Sequence, residues 1–487
     1  MTAAALARMV KFAGVSVTLV ESEELGTVGV GEATIPSLHS FNALLDVDEN
    51  EFVRQTNATF KLGIEFVDWY RSGHRYMHPF GVFGRDLLGV NFHQLWLRMR
   101  TDPGFAKEAG ALSDFNLTAI AAKSNRFMRP QGGPTAVFAA LRYAFHFDAG
   151  AYASFLRRYA EARGVKRIEG KVIDVRQRQL DGHIEQLILQ DGRRIDGELF
   201  VDCSGFRALL IGQTLKVGFE SWADLLECDR AVAVPSQRRE PLTPYTRSTA
   251  DRAGWRWRIP LQHRTGNGYT YSSRYISDDE ATATLLAALD GPALAEPRSL
   301  RFVPGRRRKF WHKNCVAIGL AAGFLEPLES TSIHLIQTGI TKLLGFFPDK
   351  TFSPQLMQEF NRRSEREYEH VRDFIVLHYR ATERADSPFW SACRDGAMPE
   401  TLAEKLAMFR ESGRVLRKPD ELFTDDSWIA VMLGQGINPL DYDPVVDSFP
   451  PDTTTKFAIQ IRDLMRRAVD SMPTHEEYIA KHCAASA

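Results

Sequence analysis

The stretch GLAAGFLEPLESTSIHLIQTGITKLLGFFP, residues 319–348, sets how the rest of the chain is read. It follows a short apolar strand expected at residues 315–318. It then passes through small residues into Glu326-Pro327-Leu328-Glu329-Ser330-Thr331-Ser332. Apolar side chains at Ile333, Ile336, Ile340, Leu343, Leu344 and Phe347 recur at helical spacing and stop at Pro348, so a helix is expected to begin among the hydroxyl residues. Free backbone N–H groups and the helix dipole both favour negative charge at such a start, which makes it an anion site in chemical terms. The same residues also read as an ordinary N-cap, in which Ser and Thr satisfy backbone donors.

The 487 residues suffice for two or three domains or one large elaborated body. With 44% hydrophobic and 25% charged residues, the composition is that of a soluble globular protein. Lys+Arg and Asp+Glu both number 61, so net charge gives no reason to expect nucleic acid or an anionic membrane as a partner. Cys203, Cys228, Cys315, Cys393 and Cys483 are scattered and form no C-x-x-C pair. That pattern fits a reduced, cytoplasmic protein rather than a disulfide framework, and no metal site is expected. No apolar run is long enough to span a membrane, and the N-terminus lacks the layout of a signal peptide.

Residues 1–12 read as a helix and residues 15–20 as a β-branched strand ending on Glu21. An acid there is where a dinucleotide fold holds a ribose hydroxyl. The glycine-rich stretch 26–36, GTVGVGEATIP, allows close approach of a ligand to backbone, or simply forms a surface turn. Residues 60–70 read as a strand with Phe60, Leu62, Ile64 and Phe66 on one face, and Lys61 opposite them reads as its solvated side. Residues 70–96 are rich in aromatics and histidine without rhythm, so they read as a loop that lines a pocket or packs on itself. A helix is expected at 148–164, followed by strands at 172–175, 184–189 and 198–202 that lead to Asp202-Cys203-Ser204-Gly205. Residues 254–260, GWRWRIP, place Trp255 and Trp257 on one strand face, with a hairpin turn expected at Gly266-Asn267-Gly268. The basic run 306–309 reads as a solvated edge, and helices are expected at 357–379, 400–411 and 454–472.

Taken in order, GVGEATIP (29–36), NATFKLGIEFVDW (57–69), HFDA (146–149), DCSG (202–205), GWRWRIP (254–260) and FLEPLESTSI (324–333) resemble the flavin-dependent tryptophan halogenase family over nearly the whole chain. The resemblance implies an α/β fold: an FAD-binding, Rossmann-type module like that of flavin monooxygenases over residues 1–350, and a mostly helical substrate-side region over 351–487. It implies that reduced FAD, O2 and chloride or bromide yield hypohalous acid, which passes to a lysine where an electron-rich ring is halogenated. The lysine falls on Lys61 and the essential glutamate on Glu329. The halide site falls on Thr331 and Ser332. Flavin contacts fall on Glu21, Gly29, Val30, Gly31, Glu32, Ala33, Thr34, Val172, Asp202, Leu320 and Ile333. His78 and Phe80 match positions that flank the ring, Trp428 is a further substrate-side residue, and Trp255 and Trp257 are the residues that keep substrate from the flavin. A separate NAD(P)H-dependent flavin reductase is implied as partner, and a homodimer is open.

The chemistry suits these residue types. Free hypohalous acid is indiscriminate, and an ammonium that hydrogen-bonds it, or an amine that holds it as a haloamine, confines it to one ring carbon. A carboxylate near the ring stabilises the cationic intermediate and takes the leaving proton. Two features depart from the resemblance. Met1 falls after the position of the family's first strand and G-x-G-x-x-G turn, so the reading frame is expected to start upstream. Residues 420–439 are short where tryptophan-specific members carry an aromatic clamp for the amino acid, and Ser332 replaces a glycine. An indole-type substrate other than free tryptophan is therefore expected. The competing readings are a flavin-dependent hydroxylase of the same fold and a degenerate, non-catalytic binding protein.

Overall fold

The computed structural model describes residues 1–10, 14–25, 31–133 and 136–485. Gly29 and Val30, named above as flavin contacts, lie outside them. A mixed α/β architecture forms, as expected. Two parallel strand pairs mark the dinucleotide-type module: Thr18–Glu21 with Lys166–Glu169, and Phe200–Asp202 with Cys315–Ala317. The helix Thr2–Met9 packs beside the helix Ala149–Glu161, whose first turn is capped by the Asp148 carboxylate.

Two sheets position the site. One has three strands in the order Glu32–Ala33, Ala144–Phe147, Thr59–Lys61. The other has seven, in the order Arg298–Arg301, Arg230–Ser236, Thr265–Tyr271, Gly254–Pro260, Thr246–Asp251, Gly63–Val67, Arg75–Pro79. The chain leaves the first sheet at Lys61 and enters the second at Gly63. The strand expected over 60–70 is therefore two strands in different sheets. Leu62 is the joint: its N–H donates to the Pro244 carbonyl (2.7 Å) and its carbonyl accepts from Phe80 N (2.9 Å). Gly63 is required there, because a Cβ would stand 2.5 Å from the His78 carbonyl oxygen. Phe60, Leu62, Ile64 and Phe66 are buried as expected, but Lys61 is buried with them and has no solvated side.

Three other local readings change. The stretch 70–96 contains the strand Arg75–Pro79 and the start of the helix Phe92–Thr101, because pairing with Gly63–Val67 supplies the order that the sequence lacks. Arg306 is buried rather than solvated, in ion pairs with Glu220, Glu365 and Glu369. Gly266-Asn267-Gly268 is not a turn but lies within the strand Thr265–Tyr271, where Gly268 pairs with Trp257. The Trp257 ring occupies the space that a Gly268 side chain would take, 2.0 Å from where a Cβ would stand. The glycine thus serves packing, not reversal.

The helical part is organised on Pro354–Arg380, a helix of 27 residues. Phe360, Ser364, Tyr368, Val371, Phe374, Ile375 and His378 line its buried stripe at helical spacing. The helix Ser332–Gly345 lies against it, and Asp425–Gly434 covers its C-terminal half. Replacing Gly268 by Ala should lower the melting temperature, at a cost of about 1–3 kcal/mol for overpacking, because Trp257 must move. Thermal unfolding of the variant checks this.

Candidate active site

Lys61 is fully enclosed. Its Nζ donates to the Thr34 carbonyl oxygen at 2.9 Å and to Ser330 Oγ at 2.9 Å, and lies 5.4 Å from the centre of the Phe80 ring. Burial pushes the amine down from its ordinary value of 10.5 to about 7, although the nearby Glu329 charge acts in the opposite direction. At neutral pH the group is therefore present both as amine and as ammonium. A neutral amine has two N–H bonds, and both have acceptors here. Its lone pair is the unclaimed valence; in the ammonium form it is the third N–H.

Glu329 sits in the short 3₁₀ turn Pro327–Glu329 and is buried. Ser330, next in the chain, adopts a left-handed conformation (φ 59°, ψ 35°) that a non-glycine residue rarely takes. That reversal brings Ser330 Oγ to Lys61 and sets the following residues at the helix start. The Glu329 carboxylate lies between two imidazoles. His78 Nδ1 is 3.0 and 3.1 Å from its oxygens, and His378 Nε2 is 2.9 Å from Oε1. Burial acts to raise this carboxyl, but His78 and His378 outweigh it and hold it down to about 2. It is thus an ionised carboxylate at working pH.

The helix Ser332–Gly345 begins without any side-chain cap. Thr331 occupies the N-cap position, yet its Oγ1 is buried and finds no hydrogen-bond partner among the described residues. The capping alternative therefore does not describe these hydroxyls. Ser332 and Ile333, both half-buried, form the first turn, whose N–H groups have no intrahelical acceptor by position. An uncapped helix start thus follows Ser330, whose Oγ accepts from Lys61.

Of the residues expected to contact flavin, Glu32 and Ala33 form a short strand, and the Thr34 carbonyl accepts from Lys61. Gly31 holds φ 138°, facing Gly266 and Leu261. Leu320, Ile333 and Val172 are half-buried apolar residues. Glu21 ends its strand as expected, with its carboxylate paired to Arg167 (2.6 Å) and Arg157 (3.7 Å). Asp202 also ends its strand, but its carboxylate is taken up by its own loop, accepting from Ser204 N and Oγ and from Leu210 and Ile211 N.

Trp255 and Trp257 are buried on one strand face, with ring centres 5.8 Å apart. Trp255 Nε1 donates to Glu326 Oε1 at 3.1 Å, and Tyr379 OH donates to the same oxygen at 2.5 Å. Burial raises the Glu326 carboxyl to about 7 against these bonds. Of the residues expected to meet the substrate, His78 is close to Phe374 and Phe423, which stack at 3.7 Å, and Trp428 meets Phe374 edge-on at 4.8 Å. Trp428 and Phe374 are both fully buried. Phe80 is half-buried and marks the more open edge beside Lys61. Sequence reading missed Ser330, Glu326, Phe374, Phe423 and His378. The signal for His378 was a histidine set in the apolar run FIVLHY.

Because the unfolded chain keeps the Lys61 proton up to pH 10.5 and the folded chain only to about 7, burying this group lowers stability fully below pH 7 and progressively less toward pH 10.5. Lys61→Met removes that cost, about 1.4 kcal/mol per unit, offset in part by leaving the Thr34 carbonyl without its donor. The variant should gain melting temperature relative to the parent more at pH 6 than at pH 9. Paired unfolding curves at the two pH values check the sign.

Comparison with known proteins identifies the family. A family model described as tryptophan halogenase matches residues 1–451. The chain is 37% identical over 500 residues to the tryptophan 6-halogenase SttH of Streptomyces toxytricini, covering 96% of this chain and 93% of that one. It superposes on the flavin-dependent halogenase Xcc4156 from Xanthomonas campestris with a TM-score of 0.96 at 47% identity, covering 100% of this chain and 96% of the other. For the flavin-dependent halogenase BrvH from Brevundimonas sp. BAL3, the TM-score is 0.94 at 44% identity, with 98% and 96% covered. No helix among the described residues is long and apolar enough to cross a membrane. Flavin-dependent halogenases use reduced FAD, O2 and halide, and rely on a separate flavin reductase. This chain belongs to the tryptophan halogenase family and is a flavin-dependent halogenase.

Proposed function

We propose that this enzyme halogenates an electron-rich, indole-type ring that carries no amino-acid handle, with Lys61 delivering the oxidised halogen and Glu329 receiving the ring proton. The observation that carries the reading is the buried Lys61 amine, hydrogen-bonded twice and left with one unclaimed valence.

The residues present fit FAD. Half-buried Leu320, Val172 and Ile333 offer apolar surface to a flat ring, and the uncapped helix start with the unpartnered Thr331 hydroxyl offers polar groups beside it. Leu320, Ile333, Val172 and the stretch from Gly31 to Thr34 would hold the flavin. Glu21 and the backbone of the Asp202 loop would hold the rest of the dinucleotide. Reduced FAD with O2 supplies the two-electron oxidation that turns halide into hypohalous acid. Thr331 and Ser332 present backbone N–H groups to the halide; such donors are neutral and resist oxidation, and they suit chloride and bromide alike. Trp255 and Trp257, fixed by Glu326 and Gly268, wall the ring substrate off from the cofactor.

Lys61 holds the hypohalous acid through its free N–H or its lone pair, at the open side beside Phe80. As the halogen–oxygen bond breaks the ring carbon takes the halogen, the departing oxygen takes a proton from the Lys61 ammonium and leaves as water, and the ring becomes cationic. Glu329, held ionised by His78 and His378, stabilises that charge. It is a weak base, which suffices because the cationic ring is a strong acid.

The lack of a handle site is supported by residues 420–439. That stretch contains no Lys, Arg or His, and its acids are engaged: Asp420 with Arg366, Glu421 with Lys405, Asp425 with Arg417, and Asp426 with Phe83 N. The region 351–487 would then act as the substrate-side wall through Phe374, Phe423 and Trp428. The five free cysteines support a cytoplasmic setting, where reductases supply reduced flavin.

The test uses the enzyme with FAD, a flavin reductase, NADH, O2 and bromide, and follows ring products by mass spectrometry and free hypohalous acid with a 1,3-diketone trap. Lys61→Ala should keep forming hypohalous acid while halogenated indole falls by about three orders of magnitude. Glu329→Gln should lower kcat about 100-fold with little change in KM. Indole should exceed free tryptophan in kcat/KM by about tenfold or more. Hydroxylated ring, or halogenation untouched by Lys61→Ala, would overturn the proposal.

A further inference from the structure

The lysine strand Thr59–Lys61 is the edge of its sheet, paired on one side only, with Ala144–Phe147. Backbone N–H groups of a strand alternate between its two edges. Phe60 N–H points away from the paired side, and in a strand this deeply buried it needs an acceptor. The acceptor is His475 Nε2, 3.1 Å away. His475 opens the helix His475–His482, and no part of it is exposed.

The hydrogen bonds fix the state of this imidazole. Its Nδ1 is 2.9 Å from the Leu242 carbonyl oxygen, which only accepts, so Nδ1 carries the hydrogen. The Phe60 N–H only donates, so Nε2 is bare. Both ring nitrogens are used, and the neutral ring acts in place of a neighbouring strand. The helix is anchored to hold it there. Thr474 and Glu477 form a capping box, His475 N donates to the Asn125 carbonyl (2.9 Å), and Glu476 pairs with Arg238. Phe60 stacks on Phe127 at 4.0 Å and meets Tyr478 edge-on. The matched family region ends at residue 451, so this helix lies beyond it.

We propose that His475 is a positioning residue for Lys61: by accepting the Phe60 N–H at the open edge of the lysine strand, it fixes the Thr59–Phe60 peptide and so the course of the strand that, one residue on, aims the Lys61 amine at Ser330 and Thr34. The proposal rests on the reading that Lys61 delivers the halogen. Strand geometry couples the two residues, since the Thr59–Phe60 peptide held by His475 is joined to Lys61 through the single Phe60 Cα, and the Phe60 and Lys61 side chains point to opposite faces. A shift of about 1 Å in a delivering group is enough to lose much of its effect. Hypohalous acid formation at the helix start does not depend on this peptide and should continue.

The experiment measures halogenated indole and trapped hypohalous acid per NADH consumed in the full chain, for Lys61→Ala, His475→Ala, His475→Gln and His475→Asn. In His475→Ala, hypohalous acid formation is expected to stay within about twofold while the share delivered to indole drops about fivefold or more, with KM for indole unchanged. His475→Gln, whose side-chain oxygen reaches as far as Nε2, should restore most of that delivery. His475→Asn, which reaches only the Leu242 carbonyl, should not. Hydrogen exchange of the peptide containing Phe60 should follow the same order and is readable even where activity is weak. Equal delivery in all three His475 variants, or parallel loss of hypohalous acid, delivery and melting temperature in Gln and Asn alike, overturns the proposal. Full delivery by Lys61→Ala would instead overturn the reading beneath it, which keeps the two failures apart.

Discussion

The candidate active site depends on keeping one amine out of water, at a cost to stability. Lys61 is reached where the chain crosses from a three-stranded sheet into a seven-stranded one, and the crossing takes a single residue, Leu62. Both flanking strands are held by ladders, and the joint is held by Pro244 and Phe80. A lysine on an ordinary strand would swing its charge to solvent. Here the side chain is fully enclosed, so its charge is met internally by a carbonyl, a hydroxyl and an aromatic face.

The segment 326–332 is the counterpart to that amine. Its 3₁₀ turn and the left-handed Ser330 direct consecutive side chains to different tasks: Glu326 toward Trp255, Glu329 toward two histidines, Ser330 toward Lys61, and Thr331 to the helix start. A regular helix through these residues would place neighbours about 100° apart on one cylinder and could not serve all four. Two ionisable groups then titrate far from their ordinary values in opposite chemical senses. Lys61 is easily made neutral, and Glu329 stays ionised. That division suits a reaction in which one group handles a neutral oxidant and the other faces a developing cation.

The elements with strong local signals were legible. The helix after Ser332, the helix Pro354–Arg380 and the strand Gly254–Pro260 all follow from periodicity. The motifs placed Lys61 and Glu329 near one another in function before the fold brought Ser330 and the amine into contact. Elements whose order comes from distant partners were not legible. The strand carrying His78 has no rhythm of its own and exists because Gly63–Val67 pairs with it. Gly266-Asn267-Gly268 looks like a turn because the sequence cannot show that Trp257 lies across Gly268. Arg306 looks solvated because its three acids come from positions 220, 365 and 369.

The sequence by itself determined the fold class and the family, since these are carried by motifs that occur in order along the chain, and through that resemblance it offered Lys61 and Glu329 as the proposed reacting pair. Only the tertiary structure decided that Lys61 is buried rather than solvated, that the Glu329 carboxylate is flanked by His78 and His378, and that His475 closes the edge of the lysine strand. Each of these sets a protonation state or an orientation through groups tens to hundreds of residues away in sequence. Desolvation and hydrogen bonding act through space, and no spacing along the chain records them.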